Sequence, residues 1–271
     1  MTYSTVDVRL DGGIATVLLN RPDRANALNR TLWDELRSAM TAVDAMPSVR
    51  VVILTGSGKH FCAGIDLEML TEMKGIITSG GDRGRGADQL RHFILDLQDV
   101  FNRVENCRKP VIAAISGACI GAGVDLATAC DLRYATADAR LCLKEIDMAI
   151  VADIGAVQRL PRLIGDGRSR EMIYTGRDVS GGEAESIGLV NKAFESADAL
   201  HVAVASIARA LAAKSPLTLR GCKQSVLYSR DHAVSDSLEQ VALWNAGMMM
   251  SDDLIEAIDA QRDKRAPIFR D

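Results

Sequence analysis

The sequence predicts an α/β core followed by a helical region. Along residues 1–195, short apolar runs rich in β-branched residues alternate with segments of helical periodicity, which is typical of an α/β fold. In residues 196–271 the strand patterns stop and only helical patterns remain. These predicted C-terminal helices are Ala197–Lys214, Leu217–Tyr228, Val234–Met248 and Asp252–Asp263.

The individual elements follow from local patterns. Apolar runs that end at turn residues predict the strands Ile14–Leu19, Val51–Thr55, Pro110–Ile115, Leu132–Tyr134 and Leu141–Leu143. Helical periodicity predicts the helices Leu32–Met46, with Asn29 or Thr31 as its cap, and Gln89–Val104. Ser180 and Glu183 have capping-box spacing ahead of a short helix that Gly188 would end. The Gly-rich, polar stretch Met73–Asp88 predicts a mobile loop.

Composition and charge narrow the class of protein. A chain of 271 residues with 48% hydrophobic and 25% charged residues suits a globular protein with a sizeable core. The net charge of −4 favours neither nucleic acid nor an anionic membrane as a partner. We expect a cytoplasmic protein, because the N-terminus does not resemble an export signal and the C-terminus is not Ser-Lys-Leu. The six cysteines and four histidines are scattered, which predicts buried reduced thiols and no metal site.

Three acidic residues stand among apolar neighbours in one stretch of sequence. They are Asp125, Glu145 and Asp153. Burying a carboxylate is costly and raises its pKa, so each is a candidate catalytic group. Structural alternatives remain open: Asp125 as a first-turn helix carboxylate, Asp153 as the N-cap of the helix through Val157, and Glu145 as an exposed strand end paired with Lys144.

Two short segments are candidates for presenting backbone N–H groups to a ligand. Phe61–Leu67 and Cys119–Asp125 each follow a predicted strand with a small-residue turn and the start of a helix. Small residues let a ligand approach the main chain, and a helix N-terminus has unpaired N–H donors. One such turn is weak evidence of function, but two can donate to the same oxygen atom.

The sequence resembles the crotonase (enoyl-CoA hydratase/isomerase) superfamily over nearly its whole length. The motifs responsible are "NRPDRANALN" (20–29), "HFCAGIDL" (60–67), "KPVIAAISGACIGAGVDLATACDLRYAT" (109–136) and "QRLPRLIG" (158–165). The resemblance implies a crotonase-type spiral of strand-strand-helix units and a C-terminal helical trimerisation region. It also implies an acyl-CoA thioester whose oxygen accepts hydrogen bonds from the backbone N–H groups of Ile65 and Ala122. Coenzyme A would be part of the substrate, with no separate cofactor and no metal.

Within that superfamily, the acids are similar to those of the Δ3,5-Δ2,4-dienoyl-CoA isomerases. The segments "KEIDMAIVADIGAVQRLP" (144–161) and "VLYSRDHAVSDSLEQVALWN" (226–245) share this similarity. The resemblance implies isomerisation in fatty acid β-oxidation, with a proton removed at carbon 2 and one returned at carbon 6. Glu145 would be the base and Asp153 the acid, although the reverse pairing stays open, and Asp125 would assist Glu145. An enoyl-CoA hydratase and a non-catalytic acyl-CoA-binding protein remain as alternatives.

The resemblance also implies a surface that binds acyl-CoA and a self-association surface. The residues implied for acyl-CoA are Arg24, Ala25, Ala63, Gly64, Asp66, Leu67, Gly121 and, near the C-terminus, Lys264. Arg265 is an alternative to Lys264, and a solvated helix end is an alternative to both. Trp244 and Met248–Met250 form a soft apolar surface that suits packing on another subunit. Packing of this surface only on the chain's own core is the alternative. The trimerisation region that the resemblance implies leads us to expect a homotrimer or a dimer of trimers.

Overall fold

A computed structural model gives the fold for residues 2–78 and 81–270. The strands are β1 (Val6–Asp11), β2 (Ile14–Leu19), β3 (Val51–Gly56), β4 (Val111–Ile115), β5 (Ala118–Ile120), β6 (Leu132–Thr136), β7 (Arg140–Cys142), β8 (Val179–Ser180) and β9 (Lys192–Phe194). The helices are α1 (Arg30–Ala45), α2 (Leu67–Thr78), α3 (Arg83–Glu105), α4 (Ala122–Ala129), α5 (Ala156–Ile164), α6 (Asp166–Thr175), α7 (Gly181–Ser186), α8 (Ala197–Ala212), α9 (Pro216–Tyr228), α10 (Val234–Met248) and α11 (Asp252–Arg262). Two short 3-10 helices cover Pro22–Arg24 and Glu145–Met148.

The strands form two sheets. The larger sheet has the order β1-β2-β3-β4-β6-β9, and the smaller has the order β5-β7-β8. All neighbours in the larger sheet are parallel except β1 and β2, which form an antiparallel pair. Strand β4 of the larger sheet is followed by β5 of the smaller sheet and then by α4. This strand-strand-helix order agrees with the predicted spiral.

The larger sheet is covered on both faces. Helix α8 packs on one face, where Leu200 and Val204 meet Val51 and Ile112. The other face contacts the main core, to which α1 and α3 contribute a stacked pair of aromatic rings, Trp33 and Phe101. A parallel strand buried on both faces needs apolar side chains on both, which explains the unbroken apolar runs of β3 and β4.

Most of the predicted elements are confirmed. Strand β2 has the predicted bounds, and β3 extends one residue further than predicted. Asn29 is the cap of α1, because its side-chain oxygen accepts a hydrogen bond from Leu32 N–H at 3.0 Å. Ser180 caps α7 through Glu183 N–H at 3.1 Å.

The prediction of a mobile loop over Met73–Asp88 is wrong for most of that stretch. Helix α2 continues to Thr78 and α3 begins at Arg83, while Ser79 and Gly80 lie outside the described residues. Asp82 starts α3 by accepting a hydrogen bond from Gly84 N–H at 2.8 Å. A glycine costs a helix roughly 1 kcal/mol. The apolar residues that the distal half of α3 buries against the core offset that cost: Leu97, Val100, Phe101 and Val104.

The C-terminal helices differ in how much they bury. Helix α8 begins at Ala197, as predicted, and packs on the larger sheet, whereas α10 has no buried residue. Trp244 packs against Gly221 of α9, but Met250 is 83% exposed. No single described helix is long and apolar enough to cross a membrane, although the pair α8 and α9, bent by 105°, passes on length and composition. The domain boundary near residue 195 and the subunit contact stay predictions.

The cysteines carry no disulfide. Cys62, Cys107, Cys119, Cys130 and Cys142 are buried free thiols, as predicted. Cys222 is exposed, and the prediction of a buried thiol is wrong there. Its position on α9 faces away from the packed side of that helix, which carries Gly221 and Lys223. Within residues 2–78 and 81–270, no three His, Cys, Asp or Glu side chains are grouped as metal ligands would be.

Candidate active site

The two predicted N–H donors lie next to each other. The backbones of Cys62 and Cys119 pair in an isolated parallel β-bridge, and Ile120 N–H donates a hydrogen bond to Cys62 O at 2.9 Å. Gly64 has a φ of +94°, and a Cβ at that position would lie 2.9 Å from Ile120 O and 3.8 Å from Ala122 N. Only glycine allows this approach, which brings the Gly64–Ile65 peptide against the start of α4.

Both donors are free to bind a ligand. Ala122 is the first residue of α4, so its N–H has no partner within the helix. Among the described residues, no hydrogen bond uses the N–H of Ile65 or of Ala122. The structure therefore presents two adjacent, unpaired backbone donors, which is the arrangement of an oxyanion hole.

Most of the residues implied for acyl-CoA form one surface beside these donors. Ala63 N–H donates to Ala25 O at 2.9 Å, and Leu28 N–H donates to Gly64 O at 2.8 Å. These bonds join the loop with Arg24 and Ala25 to the turn that carries Ile65. Lys264 is not part of this surface. It is exposed beyond the end of α11, and no described contact links it to the site.

The Asp66 side chain has a structural role. Its carboxylate accepts a hydrogen bond from Arg21 Nη1 at 2.8 Å and another from Glu68 N–H at 3.2 Å at the start of α2. Burial raises its pKa, but the bonds from Arg21 and Glu68 outweigh that and lower it. Asp66 therefore contributes its backbone to the surface, next to the exposed Leu67.

Glu145 lies over the turn that carries Ala122. Gly121 has a φ of +53°, and a Cβ at that position would be 2.9 Å from Glu145 Oε1. The other oxygen, Oε2, is buried without a hydrogen-bond partner among the described residues. Burial raises the pKa of Glu145, and the nearby charge of Asp153 adds to the rise. The alternative pairing with Lys144 is wrong, since Lys144 binds Asp147 at 3.0 Å.

Asp125 is fully buried on α4. Its Oδ1 accepts a hydrogen bond from Ala156 N–H at 2.5 Å, and its Oδ2 has no partner in the described part of the chain. Asp125 does lie in the first turn of α4, as predicted by the alternative in which it is a first-turn helix carboxylate. Its side chain, however, binds the first residue of α5. Burial, followed by the Glu145 charge, raises the pKa of Asp125 to about 7.

Asp153 lies in the segment between the 3-10 helix and α5. The residue that caps α5 is Gly155, so the alternative in which Asp153 is the N-cap is wrong. Burial raises the pKa of Asp153, which is half-buried, and its charge raises the pKa of both Asp125 and Glu145. The structure thus brings the three predicted acids close enough together for Asp153 to affect the ionisation of the other two.

The two half-buried acids open onto different cavities. Glu145 lines an apolar cavity of about 460 Å³ with Ile150 and Val157 among its walls. Asp153 lines a more polar cavity of about 740 Å³ together with Gln98 and Arg159. Glu145 therefore faces the apolar cavity and Asp153 faces the polar one.

Gln98 and Arg159 were not predicted from the sequence. Gln98 Nε2 donates to the backbone oxygen of Asp153 at 2.5 Å. Arg159 Nη1 donates to Ile154 O at 3.3 Å, and its Nη2 binds Glu105 at 2.7 Å. Both are polar residues on amphipathic helices and look like ordinary surface positions in the sequence.

Comparison with known proteins agrees with this geometry. The sequence profile described as enoyl-CoA hydratase/isomerase matches residues 9–271. The chain belongs to this family. The predicted resemblance to the enoyl-CoA hydratase/isomerase superfamily is confirmed, and so is the prediction that the chain is an enzyme of this family.

The relatives of this chain include proteins named as dienoyl-CoA isomerases and proteins named as enoyl-CoA hydratases. The peroxisomal Delta(3,5)-Delta(2,4)-dienoyl-CoA isomerase of Arabidopsis thaliana is 46% identical over 99% of this chain and 98% of its own length. The mitochondrial enzyme of that name from Mus musculus is 42% identical, covering 92% of this chain and 76% of its own. The crystal structure of enoyl-CoA hydratase from Bacillus anthracis superposes with a TM-score of 0.88 at 34% identity, covering 98% and 99% of the two chains. The predicted spiral fold is thereby confirmed.

Asp125 gives this family member a testable pH dependence of stability. Its pKa is about 7 in the folded protein, against about 3.9 for an aspartate in an unfolded chain, so unfolding releases its proton between about pH 4 and about pH 7. The ionised form therefore costs the folded state stability, on the order of a few kcal/mol at pH 7 and above. Thermal unfolding should show that Asp125→Asn becomes more stable relative to wild type as the pH rises through this range.

The control for that measurement is Asp198→Asn, which removes an exposed carboxyl from the first turn of α8. A stability difference between Asp125→Asn and wild type that is the same at about pH 4 and about pH 8 would contradict the buried, ionisable state of Asp125.

Proposed function

We propose that this protein isomerises 3,5-dienoyl-CoA to 2,4-dienoyl-CoA in fatty acid β-oxidation. The observation that carries the proposal is the close grouping of three carboxyl groups beside two unpaired backbone donors. Two donors without the acids would suit any reaction of a thioester enolate. The acids add groups that can remove a proton at one end of a conjugated system and return one at the other.

The reaction begins at carbon 2 of the substrate. The Glu145 carboxylate takes a proton from carbon 2, and the electron pair of that C–H bond moves toward the thioester, giving a dienolate. Negative charge collects on the thioester oxygen, which the N–H groups of Ile65 and Ala122 stabilise more strongly than the neutral carbonyl.

The dienolate then takes a proton at carbon 6 from the Asp153 carboxyl. The double bonds move from carbons 3–4 and 5–6 to carbons 2–3 and 4–5. Glu145 ends protonated and Asp153 ionised, so exchange with solvent or between the two acids restores the starting state. The same geometry allows the reverse pairing of base and acid.

Raised pKa values allow either acid to start protonated, because burial raises the pKa of both Glu145 and Asp153. An acid that starts protonated near neutral pH needs a raised pKa, which burial gives to Asp153. The charges of Glu145 and Asp153 add to the raised pKa of Asp125, and the charge of Asp153 adds to that of Glu145. Carbons 2 and 6 are four bonds apart, which favours two separate groups over one that swings between them.

The position of Asp125 argues against the hydratase alternative. A hydratase would need Asp125 and Glu145 to hold a water molecule between them. One oxygen of Asp125 is already bound to the amide of Ala156, which leaves a single Asp125 oxygen to hold such a water. Asp125 is better suited to holding α5 and adjusting the charge of Glu145.

The proposal extends to the partner molecules. The substrate is an acyl-CoA thioester, held along the surface that includes Arg24, Ala63 and Gly121, and no further cofactor or metal takes part. We propose a homotrimer or a dimer of trimers, supported by the exposed apolar residues of α10, among them Val234, Leu238 and Leu243. Lys264 would then meet coenzyme A across a subunit contact.

Location in the cytoplasm stays a prediction; the names of the two relatives above place those enzymes in peroxisomes and mitochondria.

The test is direct incubation of the purified protein with 3,5-dienoyl-CoA and, separately, with 2-enoyl-CoA. We expect rapid growth of the absorbance of a diene conjugated with the thioester carbonyl. Fast hydration of 2-enoyl-CoA without isomerisation would replace the proposal with a hydratase. Binding of both compounds without turnover would make the protein a non-catalytic acyl-CoA binder.

A further inference from the structure

The segment that carries Asp153 depends on other parts of the chain for its shape. Residues 150–155 form neither helix nor strand. Two side chains from outside the segment bind it: Gln98 of α3 binds Asp153 O, and Arg159 of α5 binds Ile154 O. Asp125 of α4 fixes the residue that follows the segment, by accepting a hydrogen bond from Ala156 N–H. Of these, Gln98 is the one attached to the peptide of Asp153 itself.

Gln98 is well placed to act as a fixed support. A carbonyl oxygen only accepts hydrogen bonds, so the Gln98 amide must present its NH2 group to Asp153 O. The neighbouring residue Leu97 is buried, and its carbonyl accepts a bond from Trp33 Nε1 of α1 at 3.2 Å. Gln98 therefore extends from a helix that is itself anchored in the core.

The Asp153 carboxyl has no comparable support of its own. Among the described residues, no side chain of another residue forms a hydrogen bond with it. Its direction is therefore set by the backbone from which it projects, and Gln98 fixes that backbone. Both residues line the same cavity of about 740 Å³.

We infer that Gln98 is a positioning residue for the return of the proton at carbon 6. This inference rests on the proposed isomerase function. Without the bond from Gln98, the Asp153 peptide is free to move, and a displacement of about 1 Å in a reacting group can cost about 100-fold in rate. Proton removal at carbon 2 uses Glu145, which lies on the 3-10 helix and has no described hydrogen bond with Gln98.

The experiment compares two steps of the reaction in the same variants. Gln98→Leu removes the donor at similar size, and Gln98→Glu replaces it with a carboxylate that repels Asp153 O. In D2O, deuterium entering at carbon 2 of recovered 3,5-dienoyl-CoA reports the first step, and formation of 2,4-dienoyl-CoA reports the whole reaction. Gln89→Leu is the matched control, because Gln89 is an exposed amide on the same helix, α3, and does not line the cavity that contains Asp153.

We expect both Gln98 variants to lower kcat about 10- to 100-fold with KM changed less than about 3-fold. Exchange at carbon 2 should persist, so the ratio of exchange to isomerisation rises. Gln89→Leu should match wild type in kcat, in KM and in the ratio of exchange to isomerisation. Thermal unfolding identifies a variant that no longer folds, and the other Gln98 variant then carries the test.

Two results would overturn the inference. One is a kcat and an exchange ratio equal to those of wild type in a folded Gln98 variant. The other is an equal loss of exchange and isomerisation, which would mean that Gln98 supports the whole site and not the second proton transfer. Failure of wild type to isomerise would instead refute the proposed function, so the two failures are distinguishable.

Discussion

Replacing Asp153 by Asn should lower the isomerisation rate by about 10²- to 10⁴-fold, the usual contribution of one positioned acid. Asparagine keeps the size of the side chain but cannot give a proton to carbon 6. Affinity for acyl-CoA should change little, since the binding surface around Ala63 and Ile65 is not altered. Steady-state kinetics on 3,5-dienoyl-CoA and a separate binding measurement with a saturated acyl-CoA test the two expectations.

The comparison with Glu145→Gln assigns the two roles. If Glu145 is the base, this variant should lose deuterium exchange at carbon 2 together with isomerisation, whereas Asp153→Asn should keep the exchange. The opposite result would establish the reverse pairing. Asp147→Asn is the control. Asp147 is an exposed acid on the 3-10 helix that also carries Glu145, and its carboxylate binds Lys144. Isomerisation at the wild-type rate by Asp153→Asn would remove Asp153 from the mechanism.

The sequence predicts a strand or helix best where all of its side chains lie in one kind of environment, such as the buried interior of a sheet. Strand β2 and strand β3 are buried within the larger sheet, so their apolar β-branched runs follow from their position. Strand β1 was not predicted. It lies at the edge of the sheet and has three exposed residues and a mixed sequence, VDVRLD, in which charged residues face solvent. The glycines of residues 73–88 favoured a loop, but packing of the distal half of α3 determines that helix.

The same reasoning explains what was found at the site. The three acids attract notice in the sequence because burial of a carboxylate demands a reason, and Ile65 and Ala122 lie in motifs with small residues. Their partners carry no such signal. Gln98 is 55 positions from Asp153 in the chain, and Arg21 is 45 positions from Asp66. Only the path of the spiral brings these pairs together, so no local pattern could reveal them.

Replacing Ala122 by Pro should lower kcat by about 10²- to 10³-fold, which corresponds to losing one donor to the oxyanion. Ala122 is the first residue of α4, the position at which a helix accepts proline because its N–H has no helical partner. The substitution removes the N–H and places the proline ring where the thioester oxygen would bind. Because this donor stabilises the dienolate itself, deuterium exchange at carbon 2 should fall as much as isomerisation does.

Ala197→Pro is the matched control, since Ala197 is the exposed first residue of α8 and is remote from the donors. It should retain wild-type kinetics, and thermal unfolding should show that both variants fold. The pattern also separates the parts of the proposed site: Asp153→Asn spares exchange at carbon 2, whereas Ala122→Pro does not. If folded Ala122→Pro exchanged carbon 2 at the wild-type rate, the thioester oxygen would have to be held elsewhere, and the pairing of Ile65 with Ala122 would be wrong.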